Sequence, residues 1–222
     1  MANARHLAAC AAGLLMILGG AAPASAHSKL FGAPMAEKDA MIERTEPKGY
    51  RPPDVKTLGG PFALTDPKGQ TITQDSFPGK WILLTFGFPG CRESCPIALD
   101  SLSKALEIMG PEADALQTLF VDISMDRKPD HKAMAQFVSN FHESIVGLSG
   151  TRAQVSAMVR NYKIRREYGH VMVSARETGP RIDHSTFVFV IDPQRRTRSF
   201  FYHDLSAEKM VDHIRKAFAQ GG

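Results

Sequence analysis

Apolar and polar positions along the chain fall into short blocks whose period keeps switching between two values. "WILLTF", residues 81–86, is a continuous apolar run, the pattern of a strand buried on both faces. Just beyond it Leu99, Leu102, Leu106 and Met109 recur three and four apart, the stripe of a helix with one inward face. The switching then repeats. "TLFVDIS" (118–124) predicts a strand, and residues 130–141 predict a helix with Met134, Phe137, Val138 and Phe141 inward. "SIVGLSG" (144–150) predicts a short strand. Thr151 and Gln154 have the spacing of a capping box, opening a helix whose inner face is Val155, Met158, Val159 and Tyr162. "STFVFVI" (185–191), the turn "DPQRRT" and "RSFFY" predict an antiparallel hairpin. Ser206 stands where it can cap a last helix with Met210, Val211, Ile214 and Phe218 inward. Upstream, "PFAL" and "TIT" predict two short strands around the turn "DPKG". Residues 163–183 show no clear period and predict a long excursion, with a short strand at 171–174.

Strands alternating with helices, then a hairpin and a terminal helix, predict an α/β three-layer sandwich with a mixed central sheet. A strand running into a cysteine loop and a helix near its start makes a thioredoxin-like fold the expectation, preceded by an N-terminal extension. The domain is expected to span residues 59–220. Residues 27–58 mix proline, glycine and charge and read as a tail or linker.

The first 26 residues differ in kind. Arg5 precedes an apolar run from Leu7 to Ala22, and "ASA" (24–26) has the small-x-small form of a cleavage site, so the segment reads as a secretory signal peptide. Its short core and Pro23 favour a cleaved leader over a membrane anchor. "LAAC" (7–10) resembles an acylation site, but it precedes the apolar core instead of following it. Export, to a periplasm in a bacterium, is the expected localisation. The full chain carries a net charge of +4 spread along its length, with no zinc-finger spacing or dense basic stripe, which excludes a nucleic-acid partner.

Cleavage would leave two cysteines, Cys91 and Cys95, in a disulfide-permissive compartment. Three uses compete: a structural bridge, a working dithiol, and half of a metal site. Cβ atoms four apart on a regular helix lie about 5–6 Å apart, and a disulfide wants about 3.5–4.5 Å. Closure therefore needs a non-helical turn, which Pro96 favours at Cys95 if the proline opens the helix. The loop so closed would be tiny and add little stability. A metal is less demanding, since bonds of about 2.3 Å let two thiolates share one ion without strain. The helix N-terminus, with Arg92 nearby and Glu93 opposing it, favours thiolates.

Two sulfurs need a third ligand. His131, His142, His203 and His213 fall at helix ends or on polar faces and read as solvated surface histidines. His184 stands directly before the strongest apolar strand, whose start lies beside the cysteine loop in a thioredoxin-like sheet, where oxidoreductases of that fold carry a cis-proline that this chain lacks. Two thiolates and an imidazole suit copper, above all Cu(I). His170, Met172, Asp122 and Asp126 are further candidates that spacing does not separate, and His27 would become a terminal copper-capable amine and ring.

With "GGPFALTDPKGQ", "WILLTFGFPGCRESCP", "IVGLSGT" and "DHSTFVFVIDP" in view, the chain resembles the Sco/SenC family from about Gly59 to Phe218. That resemblance implies a thioredoxin-like, exported copper-binding protein of cytochrome c oxidase assembly, with metal ligands falling on Cys91, Cys95 and His184. It departs from the family pattern at Arg92, where proline is usual, and at Ser124 and Met125, where an Asp-Pro pair is usual. The expected function is a metallochaperone that hands one copper ion, as Cu(I) or Cu(II), to a copper-receiving protein such as an oxidase subunit. The alternative is a thiol-disulfide reductase, using the Cys91–Cys95 dithiol to prepare a target's cysteines. A peroxidase ranks last, because Phe88 stands where the peroxiredoxin pattern needs threonine.

Overall fold

A computed structural model describes residues 53–92, 94–124, 128–169, 181–184 and 187–221, with the backbone alone for 166–169 and 181–184. The expected leader, most of the tail, the strand at 171–174, and His27, Asp126, His170 and Met172 lie outside the described residues.

Trp81–Gly87 forms β3, every residue of it buried, as its unbroken apolar run requires. It pairs in parallel with β4, Leu116–Asp122, from Trp81↔Leu116 to Gly87↔Asp122. That register sets β4 two residues earlier than the apolar pattern alone suggests. β5, Ile145–Leu148, extends the parallel set beyond β4. On the other side β8, Phe187–Ile191, runs antiparallel to β3, and β9, Thr197–Tyr202, antiparallel to β8. The order β5-β4-β3-β8-β9 is the expected mixed sheet. β1, Ala63–Thr65, and β2, Thr71–Thr73, make the small leading hairpin, and β6, Arg166–Gly169, pairs with β7, Arg181–His184, inside the excursion.

Parallel neighbours need crossovers. Helix α1, Ser94–Met109, joins β3 to β4, and α2, His131–Val138, joins β4 to β5. Leu99, Leu102 and Leu106 of α1 are at most 1% exposed, each contributing about 1.5–3 kcal/mol by burial. They share one face of the sheet with Phe120, Met134, Val188, Phe201 and the inner side of α4, Ala207–Gly221. The other face packs against Val155 and Met158 of α3, Arg152–Asn161, with Leu64 and an aromatic group of Phe86, Tyr162, Phe187 and Phe189. The expected capping box is formed: Thr151 Oγ1 accepts from Gln154 N–H, and the Gln154 side chain accepts from Thr151 N–H. Ser206 Oγ likewise accepts from Lys209 N–H at the start of α4.

Four expectations change. Pro96 is the third residue of α1, not its first, because any position in the opening turn tolerates a missing N–H. Cys95, expected outside helical geometry, is the second helical residue; packing of its side chain into the core outweighs the bias of a following proline. α2 ends at Val138, yet Phe141 stays buried because the turn after it folds back, with Phe141 N–H donating to the Val138 carbonyl. Of the histidines read as solvated, His131, His142 and His213 are half-buried, His213 with its ring against Phe201. His203 is buried outright. It directly follows β9, and no local pattern in "FFYHDLS" signals its burial.

Candidate metal centre

β3 delivers the chain to the cysteine loop at Gly87, where packing dictates the residue. A Cβ on Gly87 would stand 2.6 Å from Cys95 Sγ and 2.6 Å from Phe120 Cε2. Only glycine leaves the Cys95 sulfur its place over the strand end, so the residue before "FPGC" is a site residue that the motif reasoning missed. Its signal was there, a glycine closing an otherwise uniform apolar run.

The loop turns once, with Cys91 N–H donating to the Phe88 carbonyl at 3.0 Å, and enters α1 at Ser94. The Cys95 N–H, one of the first-turn donors that a helix leaves without an internal partner, points at the Cys91 sulfur at 3.3 Å. Ser94 Oγ lies 3.5 Å from the same sulfur. The Cys91 sulfur therefore caps α1, where the positive end of the helix dipole favours a thiolate. Neither cysteine is in a disulfide, and the structural-bridge reading finds no support.

The two thiols are unequal. Cys95 is 4% exposed, and Cys91 is only partly covered. The Cys95 thiol is pushed far above the ordinary cysteine range. The first cause is the hydrogen bond between its side chain and that of Cys91, followed by burial and by negative charge on the Cys91 sulfur; Phe88 N–H and the Ser94 hydroxyl pull weakly the other way. Negative charge is therefore disfavoured on the inner, buried sulfur.

His184 is the last residue of β7, paired with Arg166, three residues ahead of Phe187. Because β8 is antiparallel to β3, with Val188 opposite Thr85, its start lies at the end of the sheet where β3 releases the cysteine loop. The backbone thus brings His184 to the expected end of the fold, while its side chain lies outside the described residues. Asp122, level with Gly87, turns its Oδ1 toward Ser124 N–H and Oγ at 2.8 and 2.5 Å. Among the described residues no three histidine, cysteine or carboxylate side chains converge to hold a metal.

Comparison with known proteins decides the relationship. A sequence model of the SCO1/SenC family matches residues 51–219, most of the chain. The chain belongs to the SCO1/SenC family. It is 30% identical over 200 residues to the mitochondrial SCO2 homolog of Mus musculus, covering 86% of this chain and 76% of that one. A SCO2-like protein of Rickettsia prowazekii is 30% identical over 156 residues, 70% of this chain and 74% of its own. Among solved structures, yeast Sco1 with copper bound aligns with a TM-score of 0.64 and 29% identity over 73% of this chain and 89% of that one. Bradyrhizobium japonicum ScoI with copper bound aligns at 0.62 and 28%, over 72% and 99%. Sco structures are thus the neighbours of this fold, and the thioredoxin-like α/β expectation stands.

The donors present suit a soft ion. Two sulfurs on one rigid turn, one capping a helix and one anchored over Gly87, fit copper better than they fit a hard cation.

Proposed function

We propose that this chain holds one copper ion through Cys91, Cys95 and His184 and delivers it to a copper-receiving protein, with cytochrome c oxidase as the target class that the family implies. The observation that carries this reading is the helix-capping sulfur of Cys91 with the Cys95 thiol beside it, at the end of the sheet where β7 brings His184. Copper is cargo here. Cys91, the more exposed sulfur, is the first contact for an incoming donor ligand, and Cys95 holds the ion from below during exchange. Removal of residues 1–26 on export belongs to the same reading, and N-terminal sequencing of the mature protein tests it.

The deciding experiment is an anaerobic copper titration of the reduced protein, with metal analysis and absorption spectra. One copper per chain is expected, lost in Cys91→Ser and Cys95→Ser. In His184→Ala, Cu(II) binding should weaken more than Cu(I) binding, because two thiolates alone suffice for Cu(I). A wild-type protein that binds no copper refutes the proposal.

A second reading has its own observation, the exposure contrast between the two thiols. A partly exposed thiolate above a buried thiol is the arrangement of a dithiol reductase. Cys91 would attack one sulfur of a target disulfide and release the other as a thiol. Cys95, losing its proton, would then displace the target from the mixed disulfide, leaving the target reduced and Cys91–Cys95 oxidised. Stoichiometric reduction of a target disulfide by the metal-free protein, abolished in Cys95→Ser with a trapped mixed disulfide, tests this reading.

A further inference from the structure

Ser94 stands between the two cysteines in "CRESC" and opens α1. Its hydroxyl lies 3.5 Å from the Cys91 sulfur, and the Cys95 N–H reaches the same sulfur at 3.3 Å. Both groups belong to the first turn of α1, which the packing of Cys95, Leu99 and Leu102 fixes against the sheet. A hydroxyl on so rigid an element is held where it stands. Ser94 is half-buried, so water competes for it only in part.

The chemistry of a ligand sulfur fixes the direction of this contact. Either atom of the Ser94–Cys91 pair can donate while the sulfur carries a proton. A sulfur that binds a metal does so as a thiolate and has no proton to give. Once Cys91 is a ligand, the Ser94 hydroxyl is the donor. A hydrogen bond to an ionised acceptor is about twice as strong as a neutral one. It holds electron density on the sulfur and away from the ion. Cu(II), the more electron-demanding state, loses more by this than Cu(I). Hydrogen bonding around a cysteine sulfur is one of the levers that tune a copper potential. The same hydroxyl pulls weakly on Cys95, so one donor serves the pair.

We propose that Ser94 is a positioning residue for copper: its hydroxyl donates to the Cys91 sulfur and biases the site toward Cu(I). This rests on the assignment of Cys91 as a copper ligand. Ser94 acts through that ligand, so its removal leaves copper bound and changes which oxidation state is preferred.

The test compares wild type with Ser94→Ala, Ser94→Thr and Cys91→Ser. Cu(I) affinity is read by chelator competition, and Cu(II) by affinity and charge-transfer absorption. The metal-free protein cancels from the ratio of the two affinities, so a change in its stability or thiol protonation alone leaves the ratio unmoved. In Ser94→Ala the ratio of Cu(I) to Cu(II) affinity should fall on the order of tenfold, the scale of one hydrogen bond to a charged group. That is about 59 mV in a one-electron potential. The sulfur-to-Cu(II) absorption should move to longer wavelength, because the sulfur's electrons are held less tightly. Ser94→Thr, which keeps the hydroxyl, should return both readouts toward wild type. Alanine is the best helix former and preserves the first turn of α1. A wild-type ratio and spectrum in Ser94→Ala, a shift in the opposite direction, or a threonine variant that behaves like the alanine one overturns the inference alone. Wild-type copper binding in Cys91→Ser, or no copper binding by the wild type, overturns the parent reading and this one with it.

Discussion

Replacing Gly87 by alanine tests the link between the sheet and the sulfur pair. The added Cβ would stand 2.6 Å from Cys95 Sγ and 2.6 and 2.8 Å from two atoms of the Phe120 ring. Ordinary contact between such atoms begins near about 3.5 Å, so something must retreat by about 1 Å. Neither neighbour can do so freely. Phe120 is 1% exposed and holds Phe137 at a ring distance of 5.4 Å, and Cys95 is locked in the first turn of α1. Overpacking of this kind costs about 1–3 kcal/mol. A domain of this size loses about 2–4 °C of midpoint per kcal/mol. The metal-free protein should therefore melt visibly earlier, and its copper affinity should fall because the Cys95 sulfur is displaced. Thermal unfolding followed by circular dichroism, with chelator competition for Cu(I), reads both. Gly90→Ala is the control, since its Cβ would meet only the edge of Phe88 at 3.5 Å. If Gly87→Ala matches that control in both melting point and affinity, the packing argument is wrong.

Alkylation should separate the thiols: in the reduced metal-free protein, Cys95→Ser, which keeps the partly exposed Cys91, should react with iodoacetamide at least about tenfold faster than Cys91→Ser, and equal rates would contradict the geometry. Thr151→Ala removes the side-chain acceptor of the α3 capping box and should cost about 1 kcal/mol in urea unfolding. His213 has its proton affinity lowered, first by burial and then by Lys216, so the unfolded state binds more protons just below the usual histidine range. Stability should therefore rise with pH through that window and flatten in His213→Gln; a slope unchanged by the substitution would count against this assignment.

The elements with a strong period are legible in the amino-acid sequence alone. "WILLTF", the α1 leucines, the Thr151–Gln154 box and the late hairpin all carry their own local signal, and the structure forms each of them. Boundaries shift where tertiary pairing decides them, as at β4, whose start follows Trp81↔Leu116. The paired thiols are legible because short spacing in sequence is short distance in space. What Gly87 accommodates is not, since the Phe120 ring that crowds it arrives from a strand 33 residues on. His203 misleads as well: it is buried although nothing in "FFYHDLS" gives a local sign of it.

The antiparallel seam between β3 and β8 has a thermodynamic consequence. It sets the cysteine loop and the start of the strand that follows His184 at the lips of two strands that meet only once the chain has closed its central sheet. An ion gripped from both lips would act as a removable staple across that seam, so part of its binding strength is folding strength. Handing over the cargo would then unfasten the carrier, leaving a looser protein that is ready to close again on the next ion.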